Sequence, residues 1–216
     1  MATVGNFQWL VQYARAHMSG NESQRIDRFQ LWIDGVGGFL VCRSPQIRIG
    51  QAVPGTNLEL PLVADVSRHH ATISRDAEGY VLNPHRTVQI GAREIAEPTA
   101  IADGDQISIN AVKFKFRRPH PLSTTARLDF VSRHQTQPSA SSVLLMSDTC
   151  ILGPQPIAHV VCRNWPADAV IFERRGELYI RAGIKSQARN NTGKATRLIP
   201  GNQVRGDYFS ITIEEI

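Results

Sequence analysis

Asp65-Val66-Ser67-Arg68-His69-His70-Ala71, running on into Thr72-Ile73, is the stretch that decides how this chain is read. It passes from a polar turn into a short β-branched run, and runs of that kind recur on both sides. They lie at 29–33, 39–42, 46–49, 71–73, 80–82, 87–90, 106–109 and 112–116. Each is rich in β-branched or aromatic residues and is bounded by Gly, Pro, Asn or Asp, the pattern of short strands between tight turns. Many such strands predict an all-β sandwich rather than a parallel sheet. His69 and His70 are adjacent, so on a strand they point to opposite faces and cannot chelate one metal together. Ser67 and His70 are not a nucleophile and base, because no G-x-S-x-G elbow surrounds the serine. No orienting carboxylate or oxyanion hole is nominated either, so the reading is not that of an enzyme and names no catalytic residue. Asp103-Gly104-Asp105 lacks the further carboxylates of a calcium loop and reads as a turn. No metal and no cofactor are expected.

The motif resembles the S-R-x-H-A signature of forkhead-associated (FHA) domains, and the resemblance extends outward from it. Ile47-Arg48-Ile49-Gly50 is similar to the strand that ends at the family's Gly-Arg. Gly79-Tyr80-Val81-Leu82 resembles its next hairpin strand, and Ile101-Ala102-Asp103-Gly104-Asp105-Gln106-Ile107 its late L-x-D-G-D-x-I turn. Together these cover roughly residues 28–118, and several motifs in order are far more specific than one.

The resemblance implies recognition of phosphothreonine peptides by loops at one end of a sandwich. It implies Ser67, Arg68, Gln51 and Asn83 as the phosphopeptide-binding positions, with Gly50 and His70 as structural motif residues; Arg86 is added to the binding positions as a loop residue that, with His85 as the alternative, can restore positive charge. A phosphate carries nearly two charges and strong acceptor oxygens. Ser67 can donate a hydroxyl to it and Arg68 a forked, charge-assisted contact. His70 is implied as a brace between loops. Three departures alter the site. Gln51 is neutral where the family has a phosphate-binding arginine, a loss of roughly 1.5–3 kcal/mol if nothing replaces it. Asn83-Pro84-His85-Arg86-Thr87 replaces the family's S-x-N-G-T loop, and Ile90-Gly91 its later N-G turn.

The rest of the 216 residues sets the frame. A 42% hydrophobic, 20% charged chain has a normal globular balance. The net charge of +5 is scattered, without the dense Lys/Arg run that a nucleic-acid footprint needs. Cys42, Cys150 and Cys162 are odd in number and form no C-x-x-C pair, so neither a disulfide framework nor a zinc knuckle is expected. Cys42 and Cys162 sit in apolar runs and read as buried thiols, which suits a reducing cytoplasm. Neither a signal peptide nor a membrane span is expected. Phe7, Leu10, Val11, Ala14 and Met18 recur at helical spacing, which predicts a short N-terminal amphipathic helix over 6–18.

After the Pro- and Ser/Thr-rich stretch that begins at Pro119 the strand pattern recurs. Leu31 and Ile33 answer to Leu128 and Phe130, and 46–50 to 149–153. Residues 71–82 answer to 169–180, and Gly104, Gln106, Ile107, Phe114 and Phe116 to Gly201, Gln203, Val204, Ile211 and Ile213. A displacement of roughly one hundred residues is a duplication of domain size. The expected architecture is thus two tandem FHA-like antiparallel β-sandwiches. The helix and linker take 1–25, an FHA domain 26–118, a linker 119–126 and a degenerate FHA-like sandwich 127–216. In the second copy Pro154 follows Gly153, and Trp165-Pro166-Ala167-Asp168 stands where Ser67-Arg68-His69-His70 stood, so no phosphate site is expected there.

Two functions follow. One is a signalling module that binds phosphothreonine-containing proteins, a Ser/Thr kinase or its substrates among them. The other is a phosphate-independent scaffold that uses the same shell.

Overall fold

The computed structural model describes residues 27–120, 122–183 and 194–216. The helix expected over 6–18 lies outside the described residues. Among the described residues every regular element is a strand. In the first half these are β1 (Arg28–Ile33), β2 (Gly37–Cys42), β3 (Gln46–Gln51), β4 (Leu60–Val63), β5 (Ala71–Arg75), β6 (Tyr80–Pro84), β7 (Val88–Ile90), β8 (Arg93–Ile95), β9 (Thr99–Ile101), β10 (Gln106–Ile109) and β11 (Val112–Arg117). The second half holds β12 (Ala126–Phe130), β13 (Gln135–Thr136), β14 (Ser142–Leu145), β15 (Thr149–Gly153), β16 (Val160–Val161), β17 (Ala169–Arg174), β18 (Glu177–Ala182), β19 (Thr196–Arg197), β20 (Gln203–Arg205) and β21 (Ser210–Glu215).

The strands form three sheets. The largest runs β20-β21-β1-β2-β14-β12-β11-β10-β7-β8, and two smaller ones run β13-β4-β3-β5-β6-β9 and β16-β15-β17-β18-β19. The expectation of purely antiparallel sheets is corrected here, because each sheet contains one parallel pair: β2 with β14, β3 with β4, and β15 with β16. The loops after β3 and β15 are long enough to carry the chain back to the start of its neighbour, which a two-residue hairpin cannot do. Strands β4, β8 and β9 escaped the sequence reading. β4 contains Pro61, which lacks an N–H and counts against a strand. Among the described residues its neighbour on that side is the two-residue β13, and the Pro61 carbonyl is still used, accepting the Gln137 N–H at 3.1 Å.

Alternation along the strands builds two cores. The first takes Ile47, Ile49, Leu60, Leu62, Ala71, Ile73, Tyr80, Leu82, Ile107, Ile109, Phe114 and Phe116, together with Ala126, Leu128, Val143 and Leu145 from beyond residue 118. The second joins Leu152, Cys162, Trp165, Ile171, Ile180, Ile211 and Ile213 to Phe29, Leu31 and Ile33 of β1. Cys42, Cys150 and Cys162 are free and buried, and burial pushes the thiols of Cys42 and Cys150 up to about 12. Polar contacts stitch the two halves together. Arg43 is fully buried and ion-paired with Glu173 of β17. The Tyr80 hydroxyl donates to the carbonyls of Thr124 and Leu145, at 2.5 and 3.2 Å.

Candidate functional site

At one end of the first core the loop after β4 is drawn tightly onto β3. The Gln51 N–H donates to the Ser67 carbonyl at 3.0 Å, and the His70 N–H to the Ile49 carbonyl at 2.8 Å. Closeness of this order needs a glycine at position 50. A Cβ there would lie 2.0 Å from the Arg68 carbonyl oxygen and 2.6 Å from its carbon.

His70 is the hub of this end. Its ring is 2% exposed. Nδ1 accepts the Ser67 N–H at 3.2 Å, and Nε2 faces the Thr87 carbonyl at 2.9 Å. An accepting Nδ1 puts the proton of a neutral ring on Nε2, so that nitrogen donates to Thr87. The His70 carbonyl in turn accepts the N–H groups of His85 and Arg86, at 2.9 and 3.1 Å. One side chain and its peptide thereby fix the 64–70 loop against the 84–87 loop. The turn after β10 is tied in by Asn110, whose side-chain amide donates to the Asp65 carbonyl at 2.8 Å.

On this braced frame Arg68 is exposed, and its guanidinium has no hydrogen-bond or ion-pair partner among the described residues. Ser67 is half-buried, and its hydroxyl likewise has none. Gln51 ends β3 half-buried, and its side-chain amide has no partner among the described residues. Arg86 is exposed on the facing loop and donates to the His85 carbonyl at 2.9 Å. Asn83 is placed differently from these four. It sits in β6 opposite Thr72, and its amide is spent on Ser74 Oγ at 3.1 Å and on the Thr72 carbonyl. Arg48 contributes no free charge, since Glu59 grips it through Nε at 2.9 Å and Nη2 at 2.6 Å and also accepts its backbone N–H at 2.8 Å. Burial alone would raise the Glu59 carboxyl, but the Arg48 contacts outweigh it and hold the group below the usual carboxylate range.

A second polar cluster beside this site was not read from the sequence. The Thr72 hydroxyl lies between His69 Nε2 at 2.9 Å and His85 Nε2 at 3.1 Å, with the two rings 4.2 Å apart. Desolvation, then the neighbouring His85 and Arg48, holds His69 below the usual histidine range. The cluster depends on cross-strand neighbours, which local sequence spacing does not reveal. Among the described residues no group of three or more His, Cys, Asp or Glu is assembled around a metal-sized space.

The corresponding end of the second half has a different chemistry. A Cβ on Gly153 would meet a carboxylate oxygen of Asp168 at 1.8 Å, so an acid occupies the space over this glycine. Trp165 is 8% exposed and packs against Tyr208 and Phe209, with ring centroids 5.7 and 5.6 Å away.

The FHA domain family model matches residues 47–110, from β3 to the turn after β10. No curated protein and no solved structure matches the chain.

Proposed function

We propose that the FHA domain formed by residues 47–110 makes this chain a non-enzymatic reader of phosphothreonine proteins, with Arg68 as its main cationic anchor. FHA domains are phosphopeptide-binding interaction modules, and the local chemistry supports that use here. The observation that carries the reading is the pairing of an exposed Arg68 with the Ser67 hydroxyl, both without a partner among the described residues, on a loop braced by His70. A phosphate meeting them takes a forked guanidinium contact and a hydroxyl donor without first breaking a bond among the described residues. Arg86, on the loop held by the same histidine, adds positive charge. Loops on a rigid sandwich are suited to such recognition. Ser/Thr kinases and their substrates are the class of partner that carries this modification. The three buried free thiols support a cytoplasmic setting.

A second reading rests on Gln51 and Arg48. The first carries no charge and the second is neutralised by Glu59, so the site has fewer available cations than a strong phosphate binder uses. On this reading the FHA shell is a phosphate-independent scaffold.

The two separate in one experiment. A phosphothreonine peptide library is screened against the full chain, and each hit is compared with its unphosphorylated twin at two salt concentrations, since exposed charge pairs are screened. The reader requires discrimination between the twins that Arg68→Ala abolishes. It also requires Gln51→Arg to tighten binding about tenfold, the equivalent of ~1.4 kcal/mol. Equal binding of both twins, unchanged by Arg68→Ala, would leave the scaffold standing.

A further inference from the structure

Eight of the ten strands of the large sheet are arranged symmetrically about the seam between β2 and β14, and β7 and β8 extend one side beyond them. Outward from that seam the order is β2, β1, β21, β20 on one side and β14, β12, β11, β10 on the other. The residues that answer to one another in the two halves also occupy equivalent registers. Phe130 lies opposite Phe114 and Leu128 opposite Phe116; Ile33 lies opposite Ile211 and Leu31 opposite Ile213. One strand further in, Leu31 faces Phe39 and Leu128 faces Val143. The smaller sheets correspond too. The parallel pair β3 and β4 continues into antiparallel β5, β6 and β9, and the parallel pair β15 and β16 into antiparallel β17, β18 and β19.

Burial obeys the same relation. β2 and β14 run parallel, Phe39 beside Ser142 through Cys42 beside Leu145. A two-fold axis lying along such a seam exchanges the faces of the sheet, so matched residues must enter opposite cores. They do: Phe39 and Val41 enter the second core, while their counterparts Val143 and Leu145 enter the first. Leu40 enters the first, while its counterpart Leu144 enters the second. The last strand of each half, β11 or β21, is therefore paired with the first strand of the other half.

We propose that the chain is a duplication whose halves have exchanged their N-terminal hairpins, which makes the second half a structural part of the FHA recognition end. β1 and β2 complete the second sandwich, and β12 and β14 complete the first. The connection between β12 and β14 lies at the recognition end. Its β13 pairs with β4, and Gln137 and Pro138 line one cleft with Ala52, Val53, Pro54 and Thr56 of the loop after β3. The family match ends at Asn110, so everything that closes this core beyond that turn is outside the matched segment.

Cross-linking in the full chain tests the exchange without any peptide. Lys115 lies opposite Asp129, and Trp32 opposite Thr212. Without exchange, Lys115 would take the place of its counterpart Thr212 and lie opposite Trp32. In the exchanged sheet β2, β14 and β12 stand between β1 and β11, a separation of roughly 19 Å at ~4.8 Å per strand. That is far beyond the ~7 Å Cα reach of a disulfide.

Three double variants are made, each with a protease site inserted at Leu122, which is 92% exposed. They are Lys115→Cys with Asp129→Cys, Trp32→Cys with Thr212→Cys, and Lys115→Cys with Trp32→Cys. The native cysteines are buried and do not compete. After mild oxidation and cleavage, the first two should give covalently joined fragments on a non-reducing denaturing gel, and the third should retain its two introduced thiols. The first two variants probe different seams, so one that fails to fold leaves the other to decide. Separate fragments from a folded chain of either pair, or loss of both thiols in the third, would overturn the exchange.

Discussion

Replacing Gly50 with alanine tests how tightly the loop that carries Ser67 and Arg68 is bound to β3. The new methyl would sit 2.0 Å from the Arg68 carbonyl oxygen, where an ordinary contact begins at 3.4 Å. The obstacle is backbone, so no side chain can rotate away and the loop itself must lift by more than an ångström. Such a shift stretches the Gln51–Ser67 and His70–Ile49 hydrogen bonds, now 3.0 and 2.8 Å, past useful length. Each bond is worth about 1 kcal/mol net, and leaving the strain in place instead costs about 1–3 kcal/mol. These are alternative responses to one clash, and a clash this deep takes the upper end of the strain range, so the expected loss is about 2–3 kcal/mol. That is a large part of a typical stability of about 5–15 kcal/mol. Urea unfolding followed by tryptophan fluorescence reads it as a fall of about 1 M in midpoint, taking a slope of about 2–3 kcal/mol per molar. Gly91→Ala is the control. Gly91 has φ +62 and no atom near its missing Cβ, so its substitution costs only left-handed strain of about 1–2 kcal/mol. If Gly50→Ala proves no more damaging than Gly91→Ala, the close packing of the loop on β3 is not what holds this end together.

Acid should weaken the fold in two separate windows. The Glu59 carboxyl is held below its usual value by Arg48. Its contribution is therefore present above the unfolded carboxylate pKa of about 4.3 and is lost as pH falls through the lower folded value. The pair is partly exposed and Arg48 is 39% accessible, so the contribution is about 1 kcal/mol after screening. Glu59→Gln should remove that part of the acid transition in pH-dependent urea melts. His159 is fully buried; its Nδ1 accepts the Ile151 N–H at 2.8 Å. Burial, with smaller effects of His120 and Arg127, lowers its pKa to about 4. The unfolded chain takes up that proton first, so stability should fall as pH drops from about 6.5 towards 4, by up to about 3 kcal/mol. His159→Gln, which keeps an acceptor for Ile151, should flatten this slope in the same melts.

The strands around the motif were legible because their chemistry is local. The 46–49, 71–73 and 80–82 runs show alternation that matches inward Ile47, Ile49, Ile73 and Leu82. The layout of the candidate site was legible only where it, too, is local. Ser67 and Arg68 belong to one loop, and their neighbourhood to Gly50 follows from the motif. Asn83 reads as a loop residue because it opens the stretch that stands in place of the family's S-x-N-G-T loop, yet pairing with Thr72 draws it into β6. Glu59 gave no warning that it would neutralise Arg48, since the two meet only after the loop between β3 and β4 has closed. The Thr72 bridge between His69 and His85 is hidden for the same reason.

Partner choice in the large sheet is a still more distant property. The match between Leu31-x-Ile33 and Leu128-x-Phe130 identifies two strands of the same kind, and each has an apolar face suited to Phe114 and Phe116 or to Ile211 and Ile213. Pattern alone cannot distinguish a strand that closes its own core from one that closes its neighbour's, because both arrangements bury the same side chains in the same register. What separates them is the connection. β12 begins at Ala126, soon after β11 ends at Arg117, and pairs antiparallel with it, so β12 occupies that edge and leaves β1 to pair with β21. The sequence can therefore specify both cores and still leave open which hairpin completes each of them.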